Sequence, residues 1–261
     1  MKLFIFTRKL ALLPALFAVL ALTSSPASAQ MTGGSPAKGM DAAMMKLFGS
    51  NNSFASKAEI RILDKSGRPT SVIPMNFTLL EGKTRMDIDL TQIKSSDMPP
   101  NAIPMLKQIG MDKMTQIKRP DKAVDLSIYP GLKAYVEAPS SKEEIADAAK
   151  NYKMDKSKLG KETIDGHPCE KNKVVLTDDK GQKTEATTWN ATDLKDFPVQ
   201  IQMVADGENL LMKFSDIKLS KPSANQFEVP TGMAKYTNQA QLMQIVTQRM
   251  LGNAQGATDQ K

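Results

Sequence analysis

His167 and Cys169 are the only histidine and the only cysteine of the 261-residue chain, and they sit together in Gly166-His167-Pro168-Cys169-Glu170. A thiol and an imidazole can generate a nucleophile when a third group orients the ring. One intervening residue demands a bend to bring the two side chains together, and the sequence establishes neither that bend nor an orienting group. As metal ligands, one imidazole, one thiolate and Glu170 fall short of the three or four donors that zinc draws from protein. The stretch therefore reads as a turn leading into a strand, with Cys169 a small buried residue. A lone cysteine also excludes an intramolecular disulfide, so the fold must rest on its apolar core.

Methionine is the second conspicuous residue type, with 17 in the chain. Met40, Met44, Met45, Met98, Met105, Met111 and Met114 fall in helical or lid-like stretches. Thioethers select Cu(I), but the irregular spacing lacks the dense Met-x-Met or Met-x-x-Met runs of such a site. Flexible, polarizable methionines also suit a surface that adapts to apolar ligands, and they suit plain core packing. Asp87/Asp89 alternate on an amphipathic strand and Asp178/Asp179 sit in a turn, so both carboxylate pairs read as solvated charge. No Gly-rich phosphate loop, Gly-x-Ser-x-Gly elbow or His-Glu-x-x-His helix occurs. One tryptophan, Trp189, leaves little from which to build a carbohydrate-stacking platform. Neither an enzyme nor a metal or cofactor site is expected.

The elements that must position these residues alternate with period two through most of the chain. Ala58, Ile60 and Ile62 face one way; Met75, Phe77 and Leu79 repeat the pattern; Met86, Ile88 and Leu90 oppose Arg85, Asp87 and Asp89. The turns at Asp64–Gly67 and Glu81-Gly82 are too short for parallel crossovers, so these strands are antiparallel neighbours. Pro99, Pro100 and Pro104 exclude 95–110 from a central strand, leaving a covering segment with a short helix through Met105, Leu106 and Ile109 that stops at Gly110. Further strands are expected at 114–118, 123–129, 133–137, 160–164, 171–177, 183–190, 199–205 and 210–219, with turns at Asp178–Gly181 and Asp206-Gly207. A parity shift between Phe214 and Ile217 predicts a bulge near Ser215.

Helices are expected in three further places. Asp41 caps one carrying Met44, Leu47 and Phe48 and ending at Gly49. Ser141 and Glu144 form a capping box ahead of an apolar stripe of Ile145, Ala148, Ala149 and Tyr152. Asn238 caps a last helix with Leu242, Ile245 and Val246 on one face and a stop at Gly252. The fold class is mainly β (α+β): a curved, half-open antiparallel sheet or incomplete barrel of about ten strands with three or four short covering helices.

Lys2, Arg8 and Lys9, an apolar run from Leu10 to Leu22 and the small-x-small Ala27-Ser28-Ala29 read as a cleavable export signal over residues 1–29. The run is shorter than a membrane span and is interrupted by Pro14. Cleavage after Ala29 lowers the net charge from +7 to about +4, with no Lys/Arg blocks interleaved with aromatics to suit nucleic acid. A Gly/Ser/Pro-rich lead-in over 30–39, a single β domain over 40–252 and a flexible tail over 253–261 complete the expected organisation, in a periplasmic protein with no transmembrane segment after cleavage.

From Gly160 the chain runs through Gly166-His-Pro-Cys169, Trp189 and Asp193-Leu-Lys-Asp-Phe-Pro-Val199 to Asn225-Gln-Phe-Glu-Val-Pro-Thr-Gly232. This order resembles exported bacterial proteins with a Lol-carrier-like fold, related to the outer-membrane lipoprotein carriers and including a domain group of unassigned function. The resemblance is clearest over residues 159–233, with 57–62 and 83–87 similar to the opening strands. It implies a curved sheet whose concave apolar side is covered by helices and, in the best-known members, holds acyl chains. On that expectation Met75, Phe77, Leu79, Met86, Ile88 and Leu90 line the concavity, with Met105, Leu106 and Ile109 on the covering segment. The partner is then a lipid or lipoprotein acyl chain; alternatively the concavity is filled and the partner is another envelope protein.

Overall fold

The computed structural model describes residues 41–258, except Asp97 and Asp206; the expected export signal, lead-in, Met40 and last three residues lie outside them. Thirteen strands form one sheet: β1 (Ser53–Leu63), β2 (Pro69–Leu80), β3 (Lys83–Asp89), β4 (Lys94–Ser95), β5 (Lys113–Arg119), β6 (Val124–Tyr129), β7 (Ala134–Pro139), β8 (Lys153–Ile164), β9 (His167–Thr177), β10 (Lys183–Ala191), β11 (Phe197–Ala205), β12 (Glu208–Lys218) and β13 (Ala234–Tyr236). The helices are α1 (Asp41–Leu47), α2 (Ala102–Ile109), α3 (Lys142–Ala148) and α4 (Gln239–Thr258). The strand order is β13-β7-β6-β5-β3-β2-β1-β12-β11-β10-β9-β8, with β4 beside β2. Two antiparallel meanders thus meet at the β1–β12 pair, and the sheet stays open. One pairing departs from the expected antiparallel pattern, since β13 runs parallel to β7.

This order dictates curvature. β7 and β8 lie near opposite ends of the sheet, and ten inter-strand steps of about 4.8 Å would separate them by roughly 48 Å if it were flat. The crossover between Pro139 and Lys153 includes the seven-residue α3 and reaches only about 35 Å, at roughly 1.5 Å per helical and 3.5 Å per extended residue. The sheet must curl until its ends approach within that reach, and the crossover, as the chord, lies on the concave side. The expected bulge helps: two residues of β12 oppose Ser56 between the pairs Ala55–Lys218 and Lys57–Ser215, and Asp216 takes φ 50°.

The concave face carries two apolar clusters. The first joins α1 (Met44, Leu47) and Phe48 to β1, β2 and β9–β12. At its centre five phenylalanines interlock, with Phe48–Phe54 centroids at 4.9 Å, Phe54–Phe197 at 4.8 Å and Phe197–Phe214 at 5.7 Å, and Phe77 closes the group. Tilted and edge-on rings gain energy beyond their buried area. The second cluster packs Leu106 and Ile109 of α2 and Leu242 and Val246 of α4 on Leu90, Tyr129, Leu132, Ala134 and Val136. A third, on the convex face, seats Phe227 on Leu80, Ile117, Leu126 and Ile128.

Expected helix signals are met at α2, where Gly110 takes φ 74° as the left-handed cap, and at α4, where the Asn238 side chain accepts from the Gln241 N–H at 2.9 Å. Helix α4 continues through Gly252 and Gly256 to Thr258, past the expected stop and into the stretch read as a tail, because each glycine costs a helix only about 1 kcal/mol. The capping box forms, with Glu144 N–H donating to Ser141 Oγ and Ser141 N–H to Glu144 Oε2. Of the stripe behind it, Ile145 (48% exposed), Ala148 and Ala149 stay at the surface, while Tyr152, beyond the end of α3, is half-buried against the first cluster.

Two substitutions test this architecture. Phe197→Ala, which empties the junction of five rings, is expected to cost about 3–5 kcal/mol in urea unfolding. Gly131→Ala would place a Cβ 2.5 Å from the Gly110 carbonyl oxygen, so the backbone behind α2 must shift, at an expected loss of about 1–3 kcal/mol. Wild-type stability in either variant would refute the packing described.

Candidate functional site

Between the two concave clusters the central strands carry aliphatic side chains that are only half-buried: Ile60 on β1, Ile73 on β2, Met86 and Ile88 on β3, Met114 on β5. Register puts them on one face. Ile60 pairs with Ile73, Met75 with Ile88, Phe77 with Met86 and Ile88 with Met114. Ile88 touches both clusters, so the strip runs continuously from the aromatic centre to the seat of α2 and α4.

The nine residues expected to line a ligand therefore divide. Met75, Phe77 and Leu79 are buried in the first cluster, with Phe77 only 1% exposed. Leu90, Leu106 and Ile109 are buried in the second. These six form the ends and floor of the strip, while Met86 and Ile88 belong to its accessible surface. Met105 is half-buried on α2. Ile60, Ile73 and Met114 complete the surface; the sequence marks Ile60 only as a strand residue and Met114 only as one of many methionines, and Ile73 lies one alternate position before the expected strand face of Met75, Phe77 and Leu79. Ser56, on the same face, is buried and its Oγ has no hydrogen-bond partner.

The crossover forms the polar edge of the site. Lys118, on the concave side of β5, donates from Nζ to Glu144 Oε1 at 3.1 Å, fixing α3 over the sheet. At the far end Asn151 N–H donates to Asp179 Oδ2 at 3.1 Å and Lys150 Nζ lies 3.6 Å from Asp178 Oδ2. Burial raises the Glu144 carboxyl, but the Ser141 N–H and the Lys118 ammonium outweigh it and hold the group below its ordinary value of 4.5.

Behind the strip, away from the Phe227 cluster, the convex face carries charged side chains. A groove of about 770 Å³ is lined by Glu59, Arg61, Arg85, Asp87, Lys213 and Asp165, together with Pro74, Pro130 and parts of Met75, Ile88 and Met114. Its charges are matched: Arg85 Nη2 meets Asp87 Oδ1 at 2.8 Å, Thr115 donates to the same oxygen at 2.6 Å, and Lys213 Nζ lies 3.3 Å from Asp165 Oδ2.

His167 and Cys169 do not combine. The imidazole Nδ1 lies 2.8 Å from Asp193 Oδ2, whereas Cys169 Sγ donates to the backbone oxygen of His167 at 3.3 Å. The thiol is 3% exposed and burial pushes its pKa up, the opposite of what a nucleophile needs. Among the described residues no cluster of three or more His, Cys, Asp or Glu could hold a metal.

Residues 69–197, slightly under half of the chain, match the model of a family described as a domain of unknown function, DUF4412. No curated protein matches the chain. Similar solved structures include LprF from Mycobacterium bovis (11% identity, 71% of this chain and 94% of that one, TM-score 0.35). The LolA superfamily protein NE2245 from Nitrosomonas europaea gives 11% identity, 72% and 97% coverage and TM-score 0.35. The Mycobacterium tuberculosis lipoprotein LppX gives 10%, 70% and 96%, and 0.36.

The Lys118–Glu144 bond predicts a pH dependence. Because Glu144 ionises more readily folded than unfolded, its stabilisation is fully present above pH 4.5 and disappears as pH falls through the lower folded value. Wild type should exceed Glu144→Gln by about 1–2 kcal/mol at pH 6 in urea unfolding, with the gap closing below pH 4. A gap that stays constant to pH 3 would show that the carboxylate charge contributes nothing. The stretch 69–197 that matches the DUF4412 model contains all nine of the expected lining residues.

Proposed function

We propose that the protein is a non-catalytic binding or carrier protein of the bacterial envelope, which shelters a lipid or a lipoprotein acyl chain against the concave face of its sheet. The observation that carries this reading is the strip Ile60–Ile73–Met86–Ile88–Met114, half-buried between two packed clusters and bordered by an ion-paired crossover. Burying such aliphatic surface against an acyl chain is worth about 25 cal/mol per Å², and the methionines let the strip adjust to chains of different shape. The strip is held on strands, while its covers α2 and α4 rest on a few side chains each, so the covers can move without unmaking the sheet. The N-terminal export pattern supports a location outside the cytoplasm, and no helix among the described residues is long and apolar enough to cross a membrane.

A second reading has its own observation. Phe77, Leu79, Leu90, Leu106 and Ile109 are buried against the chain's own side chains, which favours a filled concavity and a protein partner. Native mass spectrometry with lipid extraction, on protein exported and purified from its own envelope, separates the two. Carrier function predicts co-purifying acyl species that fall at least tenfold in Ile73→Asp and Met86→Asp, with melting curves confirming that both variants fold. A ligand-free mass that also takes up no added oleate or phosphatidylglycerol would overturn the carrier reading in favour of the partner protein.

A further inference from the structure

We propose that the free edge of β8 is a docking edge for an acidic, extended segment of another polypeptide, which adds to the sheet as one more strand. This site is separate from the apolar strip and does not depend on it. β8 ends the sheet and pairs only with β9. In an antiparallel pair every second residue turns its N–H and C=O away from the partner, so half of Lys153–Ile164 presents an unmade ladder. Proteins ordinarily keep such edges short, broken by proline or a bulge, charged or covered. This one is twelve residues long, contains no proline and has every residue but Ile164 exposed; it is interrupted by one bulge at Leu159, and its lysines bar like-charged strands while leaving an acidic one admissible. The opposite edge is treated differently: β13 has three residues and lies beside α4. β8 also carries Met154 and Leu159, 38% and 56% exposed, two of the four large hydrophobics exposed among the described residues.

Charge selects the occupant. Met154, Lys156 and Lys158 stand opposite Leu176, Val174 and Asn172, so all three share one face and offer an apolar residue followed by two cations at alternate positions. The complement is a strand with an apolar residue and two carboxylates at the same spacing, since directly opposed unlike charges stabilise a ladder and like charges weaken it. The same lysines disfavour a second copy of β8. They are held by Asp196 at 3.0 Å and Glu170 at 2.9 Å, surface pairs that exchange partners readily.

The test uses the full chain and a fluorescein-labelled peptide Thr-Glu-Thr-Glu-Thr-Val, whose order is that of an antiparallel partner, followed by anisotropy and by hydrogen exchange of the segment 153–164. Saturable binding is expected, with at least tenfold weakening in the Lys156→Glu/Lys158→Glu double variant, preference of that variant for the Thr-Lys-Thr-Lys-Thr-Val peptide, and slowed exchange within 153–164. Both lysines are at the surface, so an unchanged melting curve separates lost binding from lost folding. No binding, binding indifferent to the double variant, or protection elsewhere would overturn the proposal. So would self-association through this edge in sedimentation, or binding to phosphatidylglycerol vesicles without binding to the peptide.

Discussion

A crossover too short to span a flat sheet governs this molecule. The chain starts in the middle of the sheet at β1, works outward to β7, and must reach the far edge at β8 before it can work back to β12. That leap sets the curvature, and the curvature sets which face is concave. The concave face then receives α1, α2, α4 and the crossover itself. The Lys118–Glu144 bond is the point at which the crossover is fastened to the strands beneath it. A concavity arises here from connectivity rather than from any single side chain.

Packing divides the concave face into firm ends and a softer middle. The five interlocked phenylalanines come from α1's C-terminal end, both strands of one meander's start and both strands of the other's finish, so they tie the two meanders at their seam. The second cluster ties α2 and α4 to β6 and β7. Between them Ile88 belongs to both, and the aliphatic side chains around it are neither sealed like the ends nor fully wet. The convex face shows how differently alternation can be used, since the intervening residues Glu59, Arg61, Arg85 and Asp87 neutralise one another in a polar groove.

Much of the fold was legible because burial on one face imposes period two. The strands from 53 to 139 other than the two-residue β4, the bulge after Ser215, the Gly110 cap and the Ser141–Glu144 box all follow from local patterns. What escaped the sequence had no such pattern. The first half of β8 is solvated on both faces, so Lys153 to Leu159 show no apolar alternation and only Gly160 to Ile164 read as a strand. Ile145 looked like the start of a buried stripe but lies on a helix too short to carry one. β13 is three residues long and owes its existence to a partner, β7, roughly 100 residues earlier, a separation beyond local pattern reading. At the site, alternation told which side chains share a face but not how deep each lies. Phe77 and Met86 are cross-strand neighbours, and only the arrival of rings from β11 and β12 makes one core and the other surface.

The seam between β1 and β12 has a consequence for how the chain comes to be folded. It joins residues roughly 150 positions apart, and pairings of such separation form late because their loop-closure entropy must be met first. β1 can gain its first neighbour, β2, early, yet its second edge and the Phe54–Phe197–Phe214 contacts wait until nearly the whole polypeptide is present. A chain that completes its core only at the end of synthesis has no finished hydrophobic centre while it is being made, so the first meander must wait, with Phe54 and Phe77 uncovered, for the second.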